Sequence, residues 1–179
     1  TVLLDFDKKF SRKEISTQGI NAYCLAANED QIAFAGQDWN HLSEVYVMDR
    51  DGSGLKRVTA YNDEALKDKY IAQPQKLAYT SQGEVLNGWV LLPKGYNEKK
   101  KYPAVFDIHG GPRCVYGEMF FHEMQVWASE GYFVFYTNIR GSDGRGDAFA
   151  DIRGKYGEVD YQSLMDFMDA VLKKYPAID

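Results

Sequence analysis

The sequence is short of several things, and each shortage closes off a class of protein. Only two of its 179 residues are cysteine, Cys24 and Cys114, with no Cys or His near either at ligand spacing. Neither a disulfide framework nor a zinc site is indicated, and free, reduced thiols are expected. No apolar run approaches the roughly 20 residues that a membrane helix requires. The first residues, Thr1-Val2-Leu3-Leu4-Asp5, lack the basic flank and long apolar stretch of a signal peptide. No membrane association is expected, and the location expected is cytoplasmic. Positive charge is also scarce: 21 Lys and Arg face 26 Asp and Glu, a net charge of −5, and the longest basic run is Lys99-Lys100-Lys101. That balance argues against a nucleic-acid or anionic-membrane partner. Histidine occurs three times, at His41, His109 and His122, and the sequence holds no Gly-x-Ser-x-Gly, the turn that presents a serine nucleophile in many hydrolases. What is abundant is apolar and aromatic content, 45% and 15%, enough for a packed core.

The pattern changes near residue 75. Before it, residues 20–26, 31–36, 44–49 and 55–59 read as short strands separated by polar turns, an antiparallel meander the size of one propeller blade. The segment Asp49-Arg50-Asp51-Gly52-Ser53-Gly54 mimics a calcium loop at its first positions. Position 12 would be Ala60 where a bidentate Glu belongs, so a glycine hairpin turn is the reading. Residues 61–76 form a polar connection containing Pro74. Beyond it come a strand pair at 76–80 and 85–92, an exposed loop, and a mostly apolar strand at 102–108 that ends in His109-Gly110-Gly111-Pro112. A helical face of Phe120, Phe121, Met124, Trp127 and Ala128 follows, stopped by Gly131. A fully apolar strand at 133–137 leads into a glycine-rich loop, 140–146. The last element is a helix over 159–174 with an apolar stripe of Tyr161, Leu164, Met165, Met168, Val171 and Leu172. Strand, helix, strand, helix with buried strands predicts a parallel sheet covered on both faces. The domains expected are 1–74 and 75–179, in an α/β fold.

The strongest chemical signal is His109-Gly110-Gly111. An HGG-type loop after a buried strand can donate a backbone N–H to an oxyanion, because two glycines let the backbone face developing charge with no side chain in the way. His109 itself reads first as an anchoring hydrogen-bonder. The glycine loop 140–146 runs G-x-x-G-x-G, not G-x-G-x-x-G, and no helical pattern starts directly after it, so a dinucleotide site is rejected. His122-Glu123 begins a zincin-like motif, but Val126 occupies the place of the second ligand. No metal and no organic cofactor are expected.

Taken together, the segments 102–112, 131–134, 138–146 (Asn138-Ile139-Arg140-Gly141-Ser142-Asp143-Gly144-Arg145-Gly146) and 154–157 resemble the prolyl oligopeptidase family of serine peptidases, nearest its acylaminoacyl-peptidase and dipeptidyl-peptidase IV branches. The resemblance extends upstream through residues 86–93 and 57–62. It departs from the family at Arg145, where many members have Tyr, and at Ser163, where many have Asp. Such a resemblance implies the last antiparallel blade of a β-propeller followed by the N-terminal half of an α/β-hydrolase domain. It places His109, Gly110 and Gly111 at the oxyanion hole, with none of the Ser-Asp-His triad in this sequence. The implied activity of the intact protein is hydrolysis of short peptides, with this chain an inactive fragment. Alternatives are a carboxylesterase or lipase-like α/β-hydrolase and a non-catalytic propeller–hydrolase binding protein. The implied partners are a peptide substrate and, along the exposed edge of strand 102–108, the remainder of the same protein or a second copy.

Overall fold

The structure, a computed structural model, describes residues 2–6 and 12–179. Contacts divide the chain into two units, Thr1–Lys69 with Glu118–Phe120, and Tyr70–Gly117 with Phe121–Asp179.

The first unit is antiparallel. β1 (Val2–Phe6) and β2 (Arg12–Ser16) pair with Leu3 opposite Ile15. This ribbon was not legible in sequence, because Arg-Lys-Glu-Ile-Ser carries a single apolar residue and hence no period of two. β3 (Asn21–Ala27), β4 (Gln31–Gln37), β5 (Glu44–Asp49) and β6 (Lys56–Arg57) form the expected meander, each strand beside the next. Alternation in β4 and β5 sends Ile32, Phe34, Tyr46 and Met48 to one buried face, where the rings of Phe34 and Tyr46 stack 5.5 Å apart. The 49–54 segment is a turn: Gly52, at φ +92°, donates its N–H to Asp49 O at 2.9 Å. β6 is shorter than the expected 55–59 because the chain beyond it is claimed by a side chain. Glu44, 2% exposed, accepts hydrogen bonds from the Thr59 hydroxyl, from Tyr61 N–H at 3.2 Å, and from the Asn62 N–H and side-chain amide, both at 3.0 Å. Burial pushes the Glu44 carboxyl up, but these donors outweigh it and hold it down at about 2. One helical turn, α1 (Asp63–Leu66), follows.

The second unit contains β7 (Gln75–Ser81), β8 (Glu84–Leu91), β9 (Ala104–Phe106), α2 (His122–Ser129), β10 (Phe133–Thr137), α3 (Asp147–Ala150) and α4 (Val159–Lys174). Its sheet runs β7-β8-β10-β9. Only β9 and β10 are parallel; β8 lies antiparallel to both β7 and β10, so the sheet is mixed where a parallel one was expected. The cause is the tight turn at Gln82-Gly83, both at positive φ, which returns β8 alongside β7 and leaves its far edge to β10. Cover on both faces is observed. Phe133 and Phe135 of β10 and Leu86 and Val90 of β8 pack under Phe167 and Val171 of α4. Val134 and Tyr136, with Trp89 and Leu91, pack under Met124 and Ala128 of α2. All five β10 residues are buried, which is why this strand reads as continuously apolar.

Several expectations need correction. The strand expected over 102–108 is regular only at Ala104–Phe106, although Phe133 N–H still reaches Pro103 O (3.0 Å) and Asp107 N–H reaches Phe135 O (2.9 Å). Tyr102 instead bridges Ile178 on the other side. α2 starts at His122, leaving Phe120 and Phe121 outside it, and Trp127 is 37% exposed, its ring edge-on to Tyr132. Gln125 takes the buried place, accepting Ala72 N–H at 2.7 Å and donating to Ala72 O at 3.0 Å. Gly131, at φ +96°, stands just past the end of α2, as expected of a stop. α4 has the bounds read from sequence and buries Val171 of the expected stripe, but its buried line also runs through Ser163 and Phe167, which that stripe leaves out, while Tyr161 and Leu172 are 56% and 41% exposed. The pivot is Gly88, where an added Cβ would lie 2.2 Å from Phe167 Cζ, so the ring occupies the space that glycine leaves. Contrary to expectation, a helical turn, α3, does start at once after the glycine loop; four residues are too few to show a period. Among the described residues no helix is long and apolar enough to cross a membrane.

Candidate functional site

Because β9 and β10 are parallel neighbours, the loops that follow them leave the same edge of the sheet. The first loop carries His109, Gly110 and Gly111; the second runs through Asn138 and Ser142. Hydrogen bonds join them at four places. His109 Nε2 is 2.9 Å from Ser142 Oγ. Asn138 Oδ1 accepts Tyr116 N–H at 2.8 Å, and Asn138 Nδ2 donates to Tyr116 O at 2.9 Å. Asp143 N–H reaches Cys114 O at 3.0 Å. Arg113 spans Asp143 and Asp147, both at 2.9 Å.

Within the first loop, the Tyr116 hydroxyl donates to Asp107, and the Tyr116 and His109 rings meet in a T-shaped contact with centroids 4.9 Å apart. Burial, and then the Asp107 hydrogen bond, push the Tyr116 phenol well above its ordinary range. This tyrosine is a fixed strut and not a source of protons. Gly110 and Gly111 lie on the surface of this framework, both exposed, with Gly111 at φ +128°. A Cβ at Gly110 would meet nothing within 4 Å. Neither glycine N–H donates to an acceptor among the described residues. Beside them is a cleft of about 630 Å³ lined by Gly111, Pro112, Arg113, Asp147, Ile152 and Tyr156 among others.

The Ser142–His109 contact is not a nucleophile with its base. Ser142 is fully buried, so no carbonyl carbon can reach its oxygen, and the other imidazole nitrogen faces the Gly110 carbonyl at 3.2 Å where a triad has a carboxylate. His41 is held by Asp38 at 3.0 Å in the first unit, and His122 is an exposed residue at the start of α2. Among the described residues no group of three or more His, Cys, Asp or Glu could hold a metal ion. Of the residues that the sequence did not offer as site residues, Tyr116, Asn138 and Ser142 matter most. No single segment signals their contacts, which form only where β9 and β10 lie side by side.

Comparison with known proteins gives a consistent result. The profile described as the prolyl oligopeptidase family matches residues 118–179. An uncharacterized peptidase, YuxL, from Bacillus subtilis is 36% identical over 162 residues, covering 89% of this chain and 24% of that protein. Dipeptidyl-peptidase 5 from Porphyromonas gingivalis is 29% identical over 171 residues, covering 91% and 24%. Among solved structures, Pyrococcus horikoshii acylaminoacyl peptidase superposes with a TM-score of 0.87 at 27% identity, covering 99% of this chain and 30% of that one. A puromycin-hydrolyzing peptidase from Mycobacterium tuberculosis, at 19% identity and a TM-score of 0.79, shares the fold. The chain thus spans about a quarter of the length of the curated relatives it matches. A profile match over its last third, relatives along most of its length and a shared fold converge: the chain belongs to the prolyl oligopeptidase family.

Proposed function

We propose that this chain supplies the oxyanion-binding part of a serine peptidase that hydrolyses short peptides. The observation that carries the reading is the Gly110-Gly111 backbone: two exposed N–H groups with no acceptor among the described residues, at the C-terminal end of a sheet strand and beside an open cleft. Donors that are already placed and unspent cost nothing to reorganise when negative charge develops on a carbonyl oxygen. The names of the relatives support peptides as substrates, with acylated aminoacyl peptides a first choice for assay. The nucleophile and its base come from residues outside this sequence, and the 179-residue chain by itself is inert.

The test is hydrolysis of chromogenic aminoacyl and N-acetyl-aminoacyl substrates by the full-length protein containing this chain, with and without a serine-directed phosphonate. Phosphonate-sensitive turnover by that protein, and none by the chain alone, is expected. Sensitive turnover by purified chain would overturn the division of labour. In the same reading, the open edge of β9 takes main chain from the rest of the protein or, in the isolated chain, from a second copy. Alternation along β9 turns the N–H groups of Ala104 and Phe106 toward that edge, since Asp107 N–H bonds inward to β10 and Tyr102 N–H outward to Ala177. A monomer by light scattering that protects both amides from exchange would refute this.

A further inference from the structure

We propose that the cavity bounded by the β7–β8 pair and the loops after β9 and β10 is a carboxylate pocket that takes the C-terminal residue of a peptide. It has a volume of about 230 Å³ and is lined by residues of the second unit alone. That is below the roughly 300–1,000 Å³ of sites for drug-sized ligands, so its ligand is about one residue in size. The sheet supplies one part of its wall: Lys76 of β7 stands opposite Trp89 of β8, and Asn87 lies two residues before Trp89 on the same face. The loops supply the rest, Val115 from the one after β9 and Asp143 and Arg145 from the one after β10.

The charges along this wall are unequally committed. Asp143 is spent on Arg113, whose Nε donates to it at 2.9 Å. The amine of Lys76, an exposed residue, has no partner among the described residues. Arg145 is held without being used up. Its Nη1 donates to Val85 O at 3.0 Å and its guanidinium carbon lies 4.8 Å from the centre of the Phe149 ring, while its other N–H groups have no acceptor among the described residues. Two uncommitted cations beside a carboxylate that is already paired attract an anion, and a fixed guanidinium matches the two oxygens of a carboxylate. The remaining groups indicate what that carboxylate is attached to. The side-chain amide of Asn87, also without a partner among the described residues, both donates and accepts, as a peptide amide requires. Trp89, its ring stacked 5.5 Å from that of Tyr136, and Val115, 48% exposed, offer apolar contact to a side chain. A carboxylate, an amide and an apolar group within the space of one residue make up the free end of a peptide. The pocket owes nothing to the glycine pair, so it stands or falls apart from the oxyanion reading.

The test needs no catalysis. The full-length protein containing this chain is treated with a serine-directed phosphonate and then titrated, by ligand-observed NMR, with N-acetylphenylalanine, a small probe that carries all three groups. Binding on the order of 1 mM is expected for a ligand of this size. N-acetylphenylalanine amide, which lacks the charge, should bind roughly tenfold more weakly or not at all. Lys76→Gln and Arg145→Gln should each weaken binding of the acid by roughly three- to fivefold and leave that of the amide unchanged. Lys99→Gln, a loss of charge in a different exposed loop, should affect neither. Because Lys76 is exposed and has no partner among the described residues, its variant keeps the fold, and the test survives if Arg145→Gln does not. No binding of the acid, equal binding of acid and amide, or an acid affinity that Lys76→Gln leaves untouched would each overturn the proposal. If the protein binds the acid through Lys76 but takes up no phosphonate, the pocket stands and the peptidase reading falls.

Discussion

Two stretches of backbone leave their strands in opposite ways. At 59–62 four donors are claimed by one acceptor: Glu44, almost wholly buried, takes the N–H groups of Tyr61 and Asn62, the Asn62 amide and the Thr59 hydroxyl. At 110–111 the N–H groups are held in place by their surroundings and claimed by nothing among the described residues. The first stretch is fixed by spending its donors on an acceptor, while the loop proposed to bind an oxyanion is fixed by everything except its donors. The contrast separates the two stretches more sharply than residue type does, since both are short and irregular.

The contrast can be broken hardest at its closed end. Glu44→Ala leaves two backbone donors, an amide and a hydroxyl without their acceptor, and should destabilise the first unit by about 3 kcal/mol, read as a lower urea midpoint. Gly88→Ala tests closure of a different kind. A methyl group there collides with the Phe167 ring and with Tyr136 O, which its Cβ would approach to 2.8 Å. A loss of roughly 2 kcal/mol is expected in the second unit, seen as a lower Tm. Acid is a graded version of the first experiment. The Glu44 carboxyl is held at about 2, below its ordinary 4.5, so its contribution is fully present above pH 4.5 and drains away as the pH falls toward 2. A urea midpoint for the first unit that stayed flat over that window would show that the four donors do not need the charge. Smallest of all is Gly110→Ala, whose new methyl meets nothing within 4 Å. Its stability should stay within about 0.5 kcal/mol of wild type. In the full-length enzyme Gly110→Val, which crowds the donor, should cost kcat more than KM, by roughly 2–4 kcal/mol of transition-state stabilisation.

Much of the fold was legible because it is written in single segments. The strand at 133–137 and the helix at 159–174 have the bounds that their apolar runs and spacing indicate. What was not legible depends on a second segment. The buried face of α4 follows Phe167 into the gap above Gly88, and no helical wheel contains Gly88. Ser163 lies outside the apolar stripe, yet it is buried, donating its hydroxyl to Val159 O at 2.9 Å within its own helix. The glycine pair of the candidate site could be read as a motif. Its supports, Ser142, Tyr116 and Asn138, could not, because they meet only once β9 lies beside β10.

The side chain of Gln125 has a kinetic consequence. Its amide takes the N–H of Ala72 and returns a hydrogen to the carbonyl of the same residue, so an irregular segment acquires the two-way bond of a sheet ladder from a helix surface. Ala72 is 1% exposed, and its N–H becomes accessible to solvent only when α2 lifts away. In hydrogen–deuterium exchange this one amide, outside every strand and helix, should keep pace with the α2 backbone rather than with its neighbours in the linker. Its exchange rate thereby becomes a local clock for the undocking of that helix.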